Sequence, residues 1–276
     1  MVEIKKINII KNKEKIRELK KDYSLLYEFL SDETERPKLI VNNNYILVVL
    51  RTIEYSIKFN FKIKAFFILY DKNKKELITN YIFSNEELEE LKKEKVLTID
   101  KIIKFVLDSL IEHFENLLDK LEAEFERISL LNEDLSFKDV FSLFRVLNLT
   151  DALLQIIKSD IDVLSKLNKN VDSVHLKIRI EHLNQLFDEL QFLDSKTSNL
   201  IQTYSIYYNL KSSRILDKIS IIAFLFLIPS TIFAMYGMNF KYIPLYDYYY
   251  GFILVSFLSF FIVIVLYYIL KRKIDF

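Results

Sequence analysis

ISIIAFLFLIPSTIFAMYGMNF, residues 219–240, runs for 22 positions without a charged side chain, and YYYGFILVSFLSFFIVIVLYYIL, residues 248–270, for another 23. At about 1.5 Å per helical residue, either run is long enough to cross a hydrocarbon core roughly 30 Å thick. Of the chain's 77 charged residues only Lys241, Asp247, Lys271, Arg272, Lys273 and Asp275 follow Lys218. The chain therefore reads as two materials joined end to end, and an ordinary soluble protein is excluded.

Charge sets the orientation expected for the two spans. Lys211, Arg214 and Lys218 precede the first and Lys271, Arg272 and Lys273 follow the second, whereas the connector 241–247 holds one cation and one acid. Positive charge stays on the cytoplasmic side, so both termini are predicted inside, in a plasma membrane. The start, Met1-Val-Glu-Ile-Lys-Lys6, has no apolar h-region, which predicts no cleavable leader. Tyr242, Tyr246 and Tyr248–Tyr250 crowd one boundary and Tyr267 and Tyr268 the other, where amphipathic rings sit at headgroup level.

The first 218 residues carry net charge −1, since the tail's four cations and two acids take +2 of a total of +1. No broad electropositive field is left to hold a nucleic acid. Cysteine is absent, which removes disulfides, thiolate nucleophiles and Cys-based zinc sites. Both glycines, Gly237 and Gly251, fall in the apolar part, so neither a P-loop nor a dinucleotide fingerprint exists and no nucleotide is expected. His113, His175 and His182 form no HExxH pairing and read as surface or packing residues. Nothing in the chain groups His or Ser with a base as an enzyme site would.

Ahead of the spans, residues 2–10, 39–51, 56–70 and 77–83 are rich in Ile, Val, Phe and Tyr and read as strands; residues 12–31 read as a helix. Ser84 with Glu87 forms a capping-box pattern opening a short helix over 85–95. Ile103, Leu107, Leu110, Phe114, Leu117, Leu121, Phe125 and Ile128 then recur at steps of three and four, one apolar stripe on a helix of about 35 residues. A second amphipathic helix is expected over Ser136–Lys166, a polar turn at Asn168–Asp172, and a third helix from Ser173 into the first span. No Gly or Pro interrupts it before Pro229. The fold class is thus an α+β membrane protein. Its parts are a cytosolic α/β domain (1–97), a cytosolic helical hairpin (98–172), a stalk (173–218), a first transmembrane helix (219–240), an outer loop (241–247), a second transmembrane helix (248–270) and a basic tail (271–276).

Ser213, Leu216, Ser220, Ala223, Leu227, Ser230 and Ala234 are spaced 3, 4, 3, 4, 3 and 4 along the third helix. Identical helices around an axis need such a seam of small and hydroxylated residues, and so does the close packing of two helices without a channel. Pro229 frees the carbonyl of Leu225 within the same span.

At the end of that span stands Tyr236-Gly237-Met238-Asn239-Phe240. Here the chain resembles the CorA family of divalent-cation transporters, whose signature is a Gly-Met-Asn triplet closing the first of two C-terminal transmembrane helices. Glu35-Arg36-Pro37-Lys38-Leu39 followed by Tyr45-Ile-Leu-Val-Val-Leu-Arg51 is similar to the family's cytosolic sheet, and the order of parts fits throughout. The resemblance implies a homopentameric funnel with the first span around the pore. Gly237, Met238 and Asn239 would form its selectivity filter, and Ala234, Ser230, Leu227 and Leu216 would line the conduit, with Ala223, Ser220 and Ser213 on the same seam. It also implies Mg²⁺ as cargo and as a regulatory ion that closes the channel, with Co²⁺ and Ni²⁺ as further cargo. A zinc-carrying member of the family and a non-transporting membrane tether remain alternatives.

The triplet's chemistry suits that role. Mg²⁺ sheds its water reluctantly, so fast capture calls for neutral oxygens touching the hydrated ion, which Asn239 supplies. Gly237 allows a helix-ending residue at positive φ, and Met238 packs adaptably. Three features depart from the family's pattern. Pro244 is followed by Leu245 where an acid is common, and Lys241 replaces another. The stalk aspartate of the regulatory site falls near Gln202, with Asp194 and Asp188 as the neighbouring acids. The Asn of the inner pore mouth is Ser213.

Overall fold

The computed structural model describes residues 6–9, 23, 35–55, 61–81, 89, 98–131, 135–238, 241–245 and 247–273. The helices expected over 12–31 and 85–95, and the Ser84 capping box, lie outside them except for Tyr23 and Glu89. Contacts divide the chain into two units, Met1–Ile201 and Gln202–Phe276.

The first unit holds a five-stranded sheet: β1 (Lys6–Ile9), β2 (Lys38–Val41), β3 (Tyr45–Tyr55), β4 (Phe61–Asp71) and β5 (Glu76–Thr79), in the order β1-β5-β4-β3-β2. The β1–β5 pair is parallel and the other neighbours are antiparallel. Ile46, Val48, Leu50, Phe66, Ile68 and Tyr70 join one core cluster, while Leu47, Val49, Ala65, Phe67 and Leu69 join another. Strand residues alternate between faces, so the unbroken apolar runs in β3 and β4 mean that both faces of the central sheet are covered.

The expected strand over 39–51 is in fact two, broken at Asn42–Asn44. Asn42 Oδ1 accepts from the backbone N–H groups of Asn44 and Tyr45, both at 2.8 Å, an Asx turn that competes with further extension. The next hairpin is closed in the same way. Asp71 Oδ1 accepts from Asn73 and Lys74, while its Oδ2 accepts from the Tyr23 hydroxyl at 2.7 Å.

Three helices share a core cluster with one sheet face: α1 (Ile99–Ser129), α2 (Phe137–Val171) and the start of α3 (Val174–Tyr236). Ser136 caps α2 in a reciprocal box with Asp139. Helix α2 runs through Val171, five residues past the expected end, and the polar turn shrinks to Asp172 and Ser173; Asp172 takes the left-handed conformation that stops a helix. Leu183, Leu186, Leu190, Leu193 and Thr197 of α3 are buried at alternating steps of three and four, the close-packed seam of a coiled coil. His113 bonds the Ile53 carbonyl at 2.7 Å, and His182 lies 3.4 Å from Glu115.

Asp160 of α2 is fully buried, and its carboxylate accepts from the backbone N–H of Arg51 at 3.2 Å and 3.4 Å. Strand β2 begins at Lys38, opposite Val49, so Arg51 lies just past the end of that ladder and the helix supplies the missing acceptor. Burial pushes the Asp160 carboxyl well above its ordinary range, opposed by the Arg51 N–H and charge. A carboxyl raised in the folded state contributes stability at low pH that is lost as pH climbs through the folded value. Asp160→Asn, which keeps an acceptor and removes the charge, is expected to melt at or above the wild-type temperature at pH 7. That advantage should close as pH falls towards 4, where the unfolded carboxyl also protonates. Asp160→Ala orphans the Arg51 N–H and should cost about 1–3 kcal/mol. Thermal unfolding of the three proteins across pH checks both expectations.

Candidate functional site

Gln202–Phe276 contains the rest of α3, a short loop, and α4 (Gly251–Lys273). By length and composition α2, α3 and α4 are each apolar enough to cross a membrane. In α2 the apolar residues are explained by the core of the first unit. In α3 and α4 only 11% of the apolar window is buried within the chain, so these two helices fit the expected spans by length, composition and exposure.

Along its membrane stretch, α3 has two opposite faces. Leu225 and Pro229 are buried, and Ile221, Ile228, Ile232 and Tyr236 are half-buried. Helix α4 answers with Gly251, Val255 and Ser259, buried at steps of four, and Phe233 stacks on Phe252 with ring centroids 6.3 Å apart. Each residue two places further along α3 lies about 200° around the helix. That rotation turns the packed stripe into Ala223, Leu227, Ser230 and Ala234. Every member of the expected seam, from Ser213 through Leu216 and Ser220 to Ala234, is exposed, and Leu216 and Leu227 are each 59% accessible. The seam thus lies on one side of α3, pointing away from α4, and this chain leaves it bare.

Hydroxyl geometry gives that face a polarity. Ser220 donates to the Leu216 carbonyl at 2.8 Å and Ser230 to the Phe226 carbonyl at 2.9 Å. With their protons turned back to the helix, the two oxygens offer only lone pairs outward. Water bound to a cation presents its hydrogens outward, so such a face suits a hydrated cation better than an anion.

Helix α3 continues through Pro229 and ends at Tyr236. The Gly237 N–H bonds the carbonyls of Phe233 and Ala234, both at 3.1 Å, and the Met238 N–H bonds Met235 at 3.3 Å. Gly237 does not use the positive φ that its missing side chain permits; these bonds let the last turn tighten without reversing the chain. A Cβ there would meet only ordinary contacts, 3.5 Å from the Ala234 carbonyl. Gly237 and Met238 are exposed at the end of the seam. Asn239 lies outside the described residues.

Gly251, by contrast, is required. A Cβ on it would fall 1.9 Å from the Leu245 carbonyl oxygen. Leu245 is itself at φ 64°, a left-handed conformation that costs a side-chain-bearing residue about 1 kcal/mol. Tyr236 fastens the other side by donating its hydroxyl to the Pro244 carbonyl at 2.8 Å. Pro244 and Leu245 are therefore held by both helices, which the sequence signals only through the rarity of its second glycine.

In the first unit, Asp194 of α3 is half-buried and Asp188 exposed. Burial, and then the charge of Asp151 on α2, raise the Asp194 carboxyl above its ordinary range, and its Oδ1 is buried without a hydrogen-bond partner. Asp151 was not singled out by sequence, because it sits on a different helix. Among the described residues no group of three or more His, Asp or Glu side chains is arranged to hold a metal ion.

A family model shows the family to which the chain belongs. The model of the CorA-like Mg2+ transporter protein family matches residues 9–272. The cobalt/magnesium transport protein CorA of Methanocaldococcus jannaschii is 29% identical over 179 residues, which span 61% of this chain and 56% of that protein's length. The complete structure of the CorA magnesium transporter from the same organism superposes with a TM-score of 0.74 at 19% identity, covering 96% of this chain and 89% of that one. Full-length CmaX gives 0.64 at 18% identity over 90% and 80% of the two chains, and the ZntB cytoplasmic domain of Vibrio parahaemolyticus 0.56 at 15% over 71% and 84%. At these identities the structures establish the fold.

The two glycines are expected to respond oppositely to the same change. Gly251→Ala must displace the Leu245 carbonyl and should destabilise the purified protein by about 1–3 kcal/mol. Gly237→Ala should leave its melting temperature within a degree or two of wild type. Thermal unfolding in detergent measures both.

Proposed function

The chain belongs to the family of CorA-like Mg2+ transporter proteins, and we propose that it is a channel-like transporter that admits Mg²⁺, with Co²⁺ and Ni²⁺ as further cargo. The observation that carries this reading is the bare seam of α3, opposite its α4-packed side and ending at Gly237 and Met238. A face of small side chains and outward lone pairs fits other copies of the same helix around a water-filled axis. Five copies are the arrangement the family resemblance implies.

In this assembly Asn239 supplies a ring of amide oxygens at the outer mouth. Those oxygens accept hydrogen bonds from the waters of a hydrated ion, which avoids the cost of stripping Mg²⁺. Ala234, Ser230, Ala223, Ser220 and Ser213 line the path behind it. Leu227 and Leu216 narrow it with apolar rings, which close by dewetting when the helices approach. The membrane potential drives entry, about 4.6 kcal/mol for a dication at 100 mV. With the termini cytoplasmic, this entry is influx. Neither nucleotide nor covalent chemistry is needed.

Regulation falls to the first unit. Asp194 and Asp151 repel one another, and a divalent cation shared with a neighbouring copy would offset that repulsion, with Asp188 as a further acid on the same helix. Such an ion would hold the copies together and keep the apolar rings closed when cytosolic Mg²⁺ is high.

Mg²⁺ flux into liposomes under an imposed inside-negative potential tests the pore. Wild type should conduct and Asn239→Ala should lose at least tenfold; equal fluxes overturn the assignment, and Zn²⁺ passing ahead of Mg²⁺ selects the zinc-carrying alternative. Leu227→Asn should raise flux at high internal Mg²⁺ by wetting the constriction, measured with the same assay.

A further inference from the structure

Five Ser and Thr side chains lie within the two uncharged runs, and four of them turn their hydroxyls back onto their own helix. Ser220, Ser230 and Thr231 of α3 each donate to the carbonyl four residues before them, and Ser259 of α4 donates to that of Ser256 at 2.8 Å. Ser256 is the exception. Its Oγ is buried and has no hydrogen-bond partner. In hydrocarbon no water stands in for the missing partner, so an orphaned hydroxyl there is costly. Ser256 lies beside Val255 and three places before Ser259, on the stripe of α4 that is buried against α3.

Helix α3 carries the complementary gap. Pro229 has no N–H, so the Leu225 carbonyl lacks the donor that would stand four residues on. Leu225 and Pro229 are both buried on the α4 side, and a helical carbonyl points along the axis, here from one towards the other. Pro229 and Ser256 are each four residues from the Phe233–Phe252 stack on helices that run in opposite directions, which puts them level. The next two carbonyls of α3, Phe226 and Leu227, take bonds from the Ser230 and Thr231 side chains at 2.9 Å and 2.8 Å, an arrangement that bends helices. A donor without an acceptor therefore faces an acceptor without its donor, at the place where α3 yields most readily.

We propose that Ser256 is a positioning residue for α3: when α3 bends at Pro229, the Ser256 hydroxyl donates to the Leu225 carbonyl and holds the bend. The faces of α3 set the direction of movement. The pull is towards α4, and Leu227, exposed on the opposite side, is drawn away from whatever its seam faces. In the pore described above, this withdraws the Leu227 ring from the axis and favours conduction. The effect on conduction rests on that pore reading, whereas the bond between the two helices does not.

Two readouts on the full-length protein in lipid separate these claims. In the Mg²⁺ flux assay Ser256→Ala should lose about three- to tenfold, the range of one interhelical hydrogen bond in a membrane, and Ser256→Thr, which keeps a hydroxyl, should stay near wild type. Pro229→Ala returns an N–H to the Leu225 carbonyl, so adding Ser256→Ala to it should change nothing further; Pro229→Leu restores the same N–H should the alanine variant not fold. Unchanged flux in Ser256→Ala, or an equal loss in both backgrounds, would overturn the role of Ser256. Thermal unfolding in lipid nanodiscs reads the bond without flux. Ser256→Ala should lower the melting temperature by about 2–4 °C when Pro229 is present and leave it unchanged when residue 229 is alanine. A wild type that conducts no Mg²⁺ but shows this coupling would reject the pore and keep the bond; equal thermal shifts in the two backgrounds would reject the bond.

Discussion

Helix α3 has two sides and, within one chain, a partner for only one of them. In hydrocarbon the backbone is satisfied inside the helix, so what distinguishes one side from the other is side-chain shape and the direction of hydroxyl bonds. The α4 side is closed by Leu225, Pro229 and the Phe233–Phe252 stack. The opposite side, from Ser213 to Ala234, keeps its small residues and its outward lone pairs uncovered. Lipid gains little from packing against small residues, whereas another helix gains close approach. What this chain leaves uncovered is therefore local and directional, the surface on which the proposed assembly rests.

The outer end depends on a different kind of fit. Gly251 admits the Leu245 carbonyl where no other residue leaves room, and Leu245 holds a left-handed backbone to deliver it. Tyr236, the last residue of α3, is tied to the same loop through Pro244. The cost of the Leu245 conformation is offset by these contacts.

Much of this was legible in the sequence because it was periodic. The uncharged runs became α3 and α4, the stripe from Ile103 to Ile128 became the buried side of α1, and the seam spacing of 3 and 4 survived as a single bare face. What escaped was set by single atoms. Asn42 breaks an apolar run into two strands through one side-chain oxygen, and Asp160 replaces a strand's missing acceptor from a helix more than a hundred residues away. Gly237 permits a positive φ but does not take one. Its two hydrogen bonds and the ordinary contacts a Cβ would meet show that, among the described residues, nothing demands a glycine there.

The outer loop also bears on how a dication could be drawn in. Lys241 and Asp247 cancel, and no acid stands where Pro244 is followed by Leu245, so the mouth adds almost no field of its own. The neutral amide ring proposed for Asn239 would bind a hydrated ion weakly, but weak binding also allows fast release. At 100 mV the potential favours an internal dication by about 4.6 kcal/mol, more than a thousandfold in concentration ratio. With that gradient available, capture at the mouth need only discriminate among hydrated ions. An acidic vestibule would raise occupancy and leave the driving force unchanged, which is why its absence is compatible with transport through this chain.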